Sequence, residues 1–251
     1  MWSAPHCACC QQLLQRLAAC PFMSCVLLLL AAFAALRLIV AFVTLCCYTG
    51  KRLQQLLLPR GAPGGGPGEW ALITGASDGI GKALASQLAK AGASQLLLVA
   101  RSEEKLKDVA TELELTASGP LKVCRLVVDF AAESSEEIFK KVSEAIKDKN
   151  ISLLVNNAGI SYPHAMYYDE VPLSLIEELI DVNVRSALVV TRAVLPGMKA
   201  RKKGLVVCVG SSSSELPSDP LYSAYAASKG AVEAFCRSLQ LLGPGERGCR
   251  L

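Results

Sequence analysis

Two side chains that can carry out acid–base chemistry, Tyr225 and Lys229, lie four residues apart in the segment AYAASKGAVEAF. On a helix, residues i and i+4 share a face, so both groups would reach one pocket. A phenol has an ordinary pKa near 10 and exchanges protons poorly at neutral pH, but a neighbouring ammonium stabilises its phenolate form. The pair therefore predicts proton transfer to or from a substrate oxygen. Tyr222 falls on roughly the same face and is the alternative tyrosine.

A serine cluster lies upstream of this pair. Ser212 is 13 positions before Tyr225 and follows the apolar run 205–209. Ligands of open α/β sheets bind at the carboxyl ends of the strands, so a serine there can meet the same ligand. Taken alone, such a cluster is more often an ordinary loop.

A glycine pattern predicts a phosphate site near the start of the alternating segments. Gly75, Gly79 and Gly81 follow the apolar run EWALIT and open a helical stretch, with Ser77, Asp78 and Ile80 between them. Glycine permits turns with positive φ and lets the backbone approach a pyrophosphate closely. The N-terminus of the following helix offers free N–H groups to the same anion.

Two charged residues at later strand ends could contact the other parts of a dinucleotide cofactor, beyond its pyrophosphate. Arg101 stands after the second apolar run, where a carboxylate would favour NAD; an arginine can instead grip a 2′-phosphate, which favours NADP(H). The alternative is a solvated arginine at a helix start. Asp129 ends the third run and is either an acceptor for the adenine amino group or a helix N-cap.

The fourth apolar run passes directly into Asn156, Asn157, Ala158 and Gly159. Adjacent amides can bind backbone or cofactor groups, and the small residues leave room for a ribose. These four residues are therefore predicted cofactor contacts.

Strands and helices must alternate to position these residues. Helical stretches with charged faces, such as SEEKLKDVATELEL, separate short apolar runs. This order predicts an α/β domain with a parallel, doubly wound sheet. The predicted strands are Trp70–Thr74, Gln95–Ala100, Leu121–Val128, Ile151–Asn156 and Leu205–Val209.

The motifs together resemble those of the short-chain dehydrogenases/reductases. They are TGASDGIG at 74–81, NNAG at 156–159, Asn183 within DVNV, Ser212, and YAASK at 225–229. The resemblance covers Glu69 to about Leu242. It implies a Rossmann-type fold, here with about five strands, and an NADP-dependent oxidoreductase.

The resemblance also implies a role for each of the four predicted catalytic residues. Tyr225 is the proton donor or acceptor on the substrate oxygen, and Lys229 activates it and holds the nicotinamide ribose. Ser212 hydrogen-bonds the substrate carbonyl, and Asn183 holds a water of the proton relay.

Further segments, including GISYPHA at 159–165 and LPSDPLY at 216–222, are similar to very-long-chain 3-oxoacyl-CoA reductases. That resemblance implies NADPH-dependent reduction of a 3-oxoacyl-CoA in fatty-acid elongation at the endoplasmic reticulum, beside other elongation enzymes and with a possible homodimer. The alternatives are a ketosteroid reductase and a 3-ketosphinganine reductase.

The front of the chain is predicted to be a membrane anchor. After an N-terminal segment (1–20), residues 21–49 are apolar apart from Arg37 and are long enough to span a bilayer. A Gly/Pro linker (50–68), the reductase domain (69–242) and an atypical tail (243–251) follow. Basic residues are more numerous after the span than before it, which predicts a domain facing the cytosol.

The family's last strands and substrate loop are not found after Lys229, where the helix gives way to GPGERGCRL. The fifth strand is then expected to be an exposed apolar edge. A truncated, catalytically silent membrane-bound form is the alternative that this feature favours.

Charge and cysteine content exclude other classes. A net charge of +4 without a basic stripe argues against nucleic-acid binding. The 11 cysteines lack zinc-ligand spacing, and a cytosol-facing domain is not expected to contain a disulfide framework. No metal is expected.

Overall fold

The computed structural model describes residues 68–240 and 249–250, together with Phe33 and Arg37. The chain divides into two units, 1–56 and 57–251. In the first unit Phe33 and Arg37 are helical, and the guanidinium carbon of Arg37 lies 5.8 Å from the centroid of the Phe33 ring. Among the described residues, no helix is both long and apolar enough to cross a bilayer. The predicted anchor, 21–49, lies outside them except at these two positions.

The second unit alternates strands with helices. The strands are β1 (Glu69–Thr74), β2 (Gln95–Ala100), β3 (Lys122–Val127), β4 (Asn150–Asn156), β5 (Gly204–Cys208) and β6 (Cys249–Arg250). The α-helices are α1 (Gly79–Lys90), α2 (Glu103–Thr116), α3 (Ser135–Ile146), α4 (Leu173–Leu179), α5 (Ser186–Arg201) and α6 (Ser223–Gln240). A π-helical turn spans Ile180–Arg185, and single 3₁₀ turns span Tyr168–Glu170, Ser212–Ser214 and Pro220–Tyr222.

The six strands form one parallel sheet in the order β3-β2-β1-β4-β5-β6. The order reverses direction between β1 and β4, which creates the crevice where ligands of such sheets bind. This confirms the predicted α/β, Rossmann-type sheet, and its first five strands lie within one residue of the apolar runs at every end.

Both faces of the sheet are covered, which is why its strands are almost continuously apolar. Successive side chains of a strand point to opposite faces. Ala71 and Ile73 of β1 accordingly pack with α1 and α2, while Leu72 packs with α3 and α5 on the other face.

The helices α1, α2 and α3 begin at polar caps that the sequence supplies. Ser134 caps α3 in a reciprocal arrangement with Glu137, which satisfies two backbone N–H groups. Because Ser134 occupies this position, Asp129 is not the N-cap of the helix that follows it. Asp78 caps α1 by accepting a hydrogen bond from the Gly79 N–H at 2.8 Å.

The edge of β5 differs from expectation, because Cys249 and Arg250 pair with Gly204 and Leu205 in parallel register. An unpaired strand edge offers backbone donors and acceptors, and these two residues of the tail use them at the start of β5. The sheet therefore has a short sixth strand in addition to the five that the apolar runs predict.

Candidate active site

A cavity of about 670 Å³ opens at the carboxyl ends of the strands. Most of the residues singled out from the sequence line it, although they come from five separate segments of the chain. The predicted residues in its wall are Gly75, Ser77, Asp78, Gly79, Ile80, Arg101, Asp129, Asn157, Ala158, Gly159, Tyr225 and Lys229.

The glycine turn between β1 and α1 tolerates side chains at few positions. Gly75 has φ +64°, in the left-handed region that favours glycine. A Cβ on Gly81 would stand 2.3 Å from the carbonyl oxygen of Gly75 and 2.4 Å from Nδ2 of Asn157. The turn can therefore close against α1 only when residue 81 has no side chain.

Asn157 braces this turn. Its Nδ2 donates to the carbonyl oxygens of Thr74 at 2.9 Å and Gly75 at 3.1 Å. The buried Thr74 hydroxyl donates to the Val155 carbonyl and accepts the N–H groups of Asn157 and Ala158, each at 3.0 Å. Thr74 is thus a structural partner of the site that the sequence reasoning did not assign, although it begins the TGASDGIG motif.

Asn156 occupies a different place from its neighbour. Its buried Nδ2 donates to Thr191 Oγ1 of α5 at 2.9 Å and to Cys208 Sγ of β5 at 3.6 Å, and it does not line the cavity. Adjacent strand residues face opposite sides of the sheet, so Asn156 and Asn157 cannot both face the same crevice wall.

Two exposed cations line the cavity. Arg101 is exposed there, and Lys105, in the first turn of α2, places its Nζ 3.4 Å from Oδ2 of Asp78. The Gly79 N–H and then Lys105 lower the pKa of Asp78, so this carboxyl group is ionised at neutral pH. No ion pair involves Arg101 within the described part of the chain. Lys105 was missed by the sequence reasoning; its spacing of four residues from Arg101 was the available signal.

Asp129 also lines the cavity. Its Oδ1 accepts the Ala131 N–H at 3.0 Å, and its own N–H donates to Glu133 Oε1 at 3.0 Å. Of the two alternatives for Asp129, the adenine contact remains the prediction.

Tyr225 and Lys229 line the cavity from α6. Lys229 is 6% exposed, and its Nζ donates to the Val209 carbonyl at 3.0 Å and lies 5.9 Å from the centroid of the Tyr225 ring. Burial lowers the pKa of Lys229, and a negative charge on Cys208 opposes that shift. A Cβ on Gly159 would stand 3.2 Å from this Nζ, so a small residue at 159 keeps space beside the ammonium.

Asn183 connects the loop after β4 to the helix of Tyr225. It is buried in the π-helical turn, where its Oδ1 accepts the Ile160 N–H at 2.7 Å and its Nδ2 donates to the Ile160 carbonyl at 3.0 Å. The same Nδ2 donates to Ser228 Oγ at 2.9 Å, and Ser228 in turn donates to the Tyr225 carbonyl at 2.7 Å. The structure therefore gives Asn183 backbone-holding contacts, which the sequence did not reveal.

Ser212 is not brought into the cavity. It is exposed and begins a 3₁₀ turn that Ser211 caps by accepting the Ser213 N–H at 3.3 Å. Ser212 is not among the residues that line the cavity. Its contact with a substrate carbonyl stays a prediction from its place in the motif set.

Tyr222, the alternative tyrosine, packs on a residue that is hydrogen-bonded to the start of α6. Its ring lies 5.4 Å from that of buried Tyr162, tilted by 32°, and Tyr162 Oη accepts the Ala224 N–H at 3.1 Å. The GISYPHA and LPSDPLY segments therefore meet each other. Of the two tyrosines, only Tyr225 lines the cavity.

Comparison with known proteins places this arrangement in a family. The model of the short chain dehydrogenases matches residues 69–244. Over 173 residues the chain is 40% identical to the human (Homo sapiens) inactive hydroxysteroid dehydrogenase-like protein 1, covering 69% of this chain and 51% of that protein. It is 41% identical over 182 residues to the very-long-chain 3-oxoacyl-CoA reductase of Anas platyrhynchos, covering 72% and 56%. The chain thus spans about half the length of the curated relatives it matches.

Solved reductase structures also share the fold of this chain. L-Sorbose reductase from Gluconobacter frateurii, complexed with NADPH and L-sorbose, has a TM-score of 0.65 at 28% identity, covering 75% of this chain and 68% of that one. The 3-oxoacyl (acyl-carrier-protein) reductase of Agrobacterium tumefaciens, with NADP bound, has a TM-score of 0.65 at 26% identity, covering 80% and 72%. By its matched residues, its sheet order and its cavity, the chain belongs to the short chain dehydrogenase family.

Proposed function

We propose that this chain reduces a 3-oxoacyl-CoA to the 3-hydroxyacyl-CoA with NADPH as the reductant. The observation that carries the proposal is that a single cavity is lined both by the glycine turn and Arg101 and by Tyr225 and Lys229. Phosphate-binding and proton-transfer groups are thus arranged along one ligand-sized space.

The residues present fit a nicotinamide dinucleotide. The glycine turn, where a Cβ on Gly81 would collide with backbone, leaves bare N–H groups at the start of α1 for a pyrophosphate. Arg101 and Lys105 would hold a 2′-phosphate, Asp129 the adenine, and Lys229 the nicotinamide ribose. When bound, the cofactor supplies a hydride to the carbonyl carbon.

Residues of the chain itself transfer the proton to the substrate oxygen. Tyr225 donates a proton to the carbonyl oxygen as charge develops on it, and the Lys229 ammonium stabilises the phenolate that remains. Asn183 holds the Ile160 backbone and, through Ser228, the Tyr225 carbonyl, and so orients the tyrosine. Ser212 remains a proposed carbonyl contact on its sequence spacing alone.

The choice of an acyl-CoA ketone rests on likeness to reductases whose names specify that substrate, at 40–41% identity. The remaining proposals follow from the same likeness and from the apolar front of the chain. They are an endoplasmic-reticulum membrane location through residues 21–49, a cytosol-facing domain, and association with other elongation enzymes.

Side-by-side assays of three ketone classes test the substrate class. With NADPH, a 3-oxoacyl-CoA is expected to give a kcat/KM at least about tenfold higher than a ketosteroid or 3-ketosphinganine. Preference for either of the other ketones would overturn the acyl-CoA assignment. NADPH binding without turnover of any ketone would instead support the silent alternative, which the name of the human relative favours.

A further inference from the structure

The π-helical turn Ile180–Arg185 contacts several segments around the cavity. The Ser186 N–H donates to the Asp181 carbonyl, the i to i+5 bond of such a turn, and turns of this kind are frequent at functional sites. Val182 of the turn lines the cavity itself. Asn183 holds the loop that follows β4 and is linked to α6. The remaining polar side chain at the end of the turn has no role in the proposed reaction so far.

That side chain belongs to Arg185, which holds the loop after β3. Its Nη2 donates to the Phe130 carbonyl at 3.0 Å. Its Nε lies 2.9 Å from Oδ1 of Asp181, an ion pair without an aligned hydrogen bond. A guanidinium can make both contacts at once because its donors form a rigid planar fork. Arg185 therefore ties the π-helical turn to a loop 55 positions earlier in the chain.

The loop that Arg185 holds is part of the cavity wall. Val128, Asp129, Phe130 and Ala131 all line the cavity. Phe130 is 6% exposed, and Arg185 is the one hydrogen-bond donor to its carbonyl among the residues that the structure describes. A largely buried carbonyl that loses its donor is unfavourable, so the loop is expected to shift when this bond is removed.

A second set of contacts holds the same loop from within its own segment. The Asp129 N–H donates to Glu133 Oε1 at 3.0 Å, and Lys141 Nζ lies 2.8 Å from the same oxygen. These contacts fix the backbone on the N-terminal side of Asp129. The carbonyl of Phe130, on its other side, is left to Arg185.

We propose that Arg185 is a positioning residue for the adenine end of the cofactor. By holding the Phe130 carbonyl, it fixes the neighbouring Asp129 in the cavity wall. Because Arg185 and Asn183 stand two residues apart, one turn braces both the wall at Asp129 and the helix that carries Tyr225. The inference rests on the proposed dinucleotide and not on which ketone is reduced.

Binding of two cofactor fragments to the full chain tests the proposal. Adenosine 2′,5′-bisphosphate represents the adenine half of NADPH, and reduced nicotinamide mononucleotide represents the other half. Arg185→Met should raise the Kd for NADPH and for the adenosine fragment about tenfold, the lower end of what a hydrogen bond from a charged group contributes. The Kd for the nicotinamide fragment, which carries no adenine, should change by less than about twofold. Calorimetry measures the first two Kd values, and ligand-observed NMR titration measures the third.

Arg201→Met is the matched control. Arg201 Nη2 donates to the Ile151 carbonyl at 2.7 Å, a bond of the same kind, and neither residue lines the cavity. This variant should leave all three Kd values within about twofold of wild type. Asp181→Asn is a second test, because it keeps the arginine and removes the charge beside it. It should raise the Kd for the adenosine fragment about two- to fivefold, the size of a partly exposed ion pair.

Thermal unfolding establishes first that each variant is folded. The proposal is overturned if Arg185→Met binds the adenosine fragment as tightly as wild type, or if it weakens both fragments equally, which would indicate a general structural role. If Arg185→Met does not fold, an unchanged Kd in Asp181→Asn overturns it. Wild-type chain that binds neither NADPH nor the adenosine fragment would overturn the proposed cofactor and this inference with it.

Discussion

Replacing Tyr225 with phenylalanine is expected to lower kcat/KM for ketone reduction by about 100- to 10,000-fold, the range that a positioned acid–base group contributes. The hydroxyl is the only group lost, and the ring still lines the cavity beside Lys229. The Kd for NADPH should therefore change by less than about threefold. Steady-state assays and a fluorescence titration of the cofactor measure the two quantities.

Tyr222→Phe is the matched control for this substitution. Tyr222 lies three residues earlier, packs on Tyr162 and is not part of the cavity wall. Its phenylalanine variant should keep nearly full turnover. An equal loss in both variants, or full turnover in Tyr225→Phe, would contradict the proposed proton transfer.

The second large effect concerns the cofactor. Arg101→Ala is expected to raise the Kd for NADPH about 10- to 100-fold, because a charge-assisted hydrogen bond to a phosphate contributes roughly 1.5–3 kcal/mol. The Kd for NADH, which lacks the 2′-phosphate, should change by less than about threefold. Calorimetric titration of wild type and variant with both dinucleotides measures this difference.

Arg125→Ala supplies the control, because Arg125 is an exposed arginine of β3 that does not line the cavity. It removes the same charge from the chain without touching the cavity. An equal rise in the Kd for NADPH and for NADH in Arg101→Ala would show that Arg101 does not bind the 2′-phosphate. If NADPH binds Arg101→Ala as tightly as wild type, Lys105 alone would have to hold that phosphate, and the role given to Arg101 would be wrong.

The sheet could be predicted from the sequence because burial on both faces requires a recognisable pattern of residues. A covered parallel strand must be apolar at nearly every position, so β1, β2 and β4 read directly as runs of leucine, isoleucine, valine and alanine. The two-residue β6 has no such apolar pattern. Its pairing uses backbone groups that every residue carries, and so side-chain patterns do not mark it.

The candidate site was predictable where residue type alone limits what can fit. Gly81 illustrates this, since any side chain there would meet the Gly75 carbonyl. Side-chain direction was harder to predict, because Asn156 and Asn157 are identical and adjacent yet face α5 and the glycine turn respectively. Only the register of β4 decides which asparagine reaches the cavity.

Contacts between distant segments were the least predictable part. Tyr162 and Ala224 are 62 positions apart, and no local pattern indicates that the Tyr162 hydroxyl oxygen accepts the Ala224 N–H, one of the free N–H groups in the first turn of α6. The link from Asn183 through Ser228 to the Tyr225 backbone was hidden for the same reason. These contacts fix the helix that carries the proposed proton donor.

The most direct test of the central claim is isotope transfer by this chain from NADPH labelled with deuterium at the nicotinamide C4. With a 3-oxoacyl-CoA as acceptor, mass spectrometry should find a 3-hydroxyacyl-CoA that carries one deuterium on C3, and Tyr225→Phe should abolish its formation. Labelled cofactor that binds to the chain but passes no deuterium to any ketone would contradict the account.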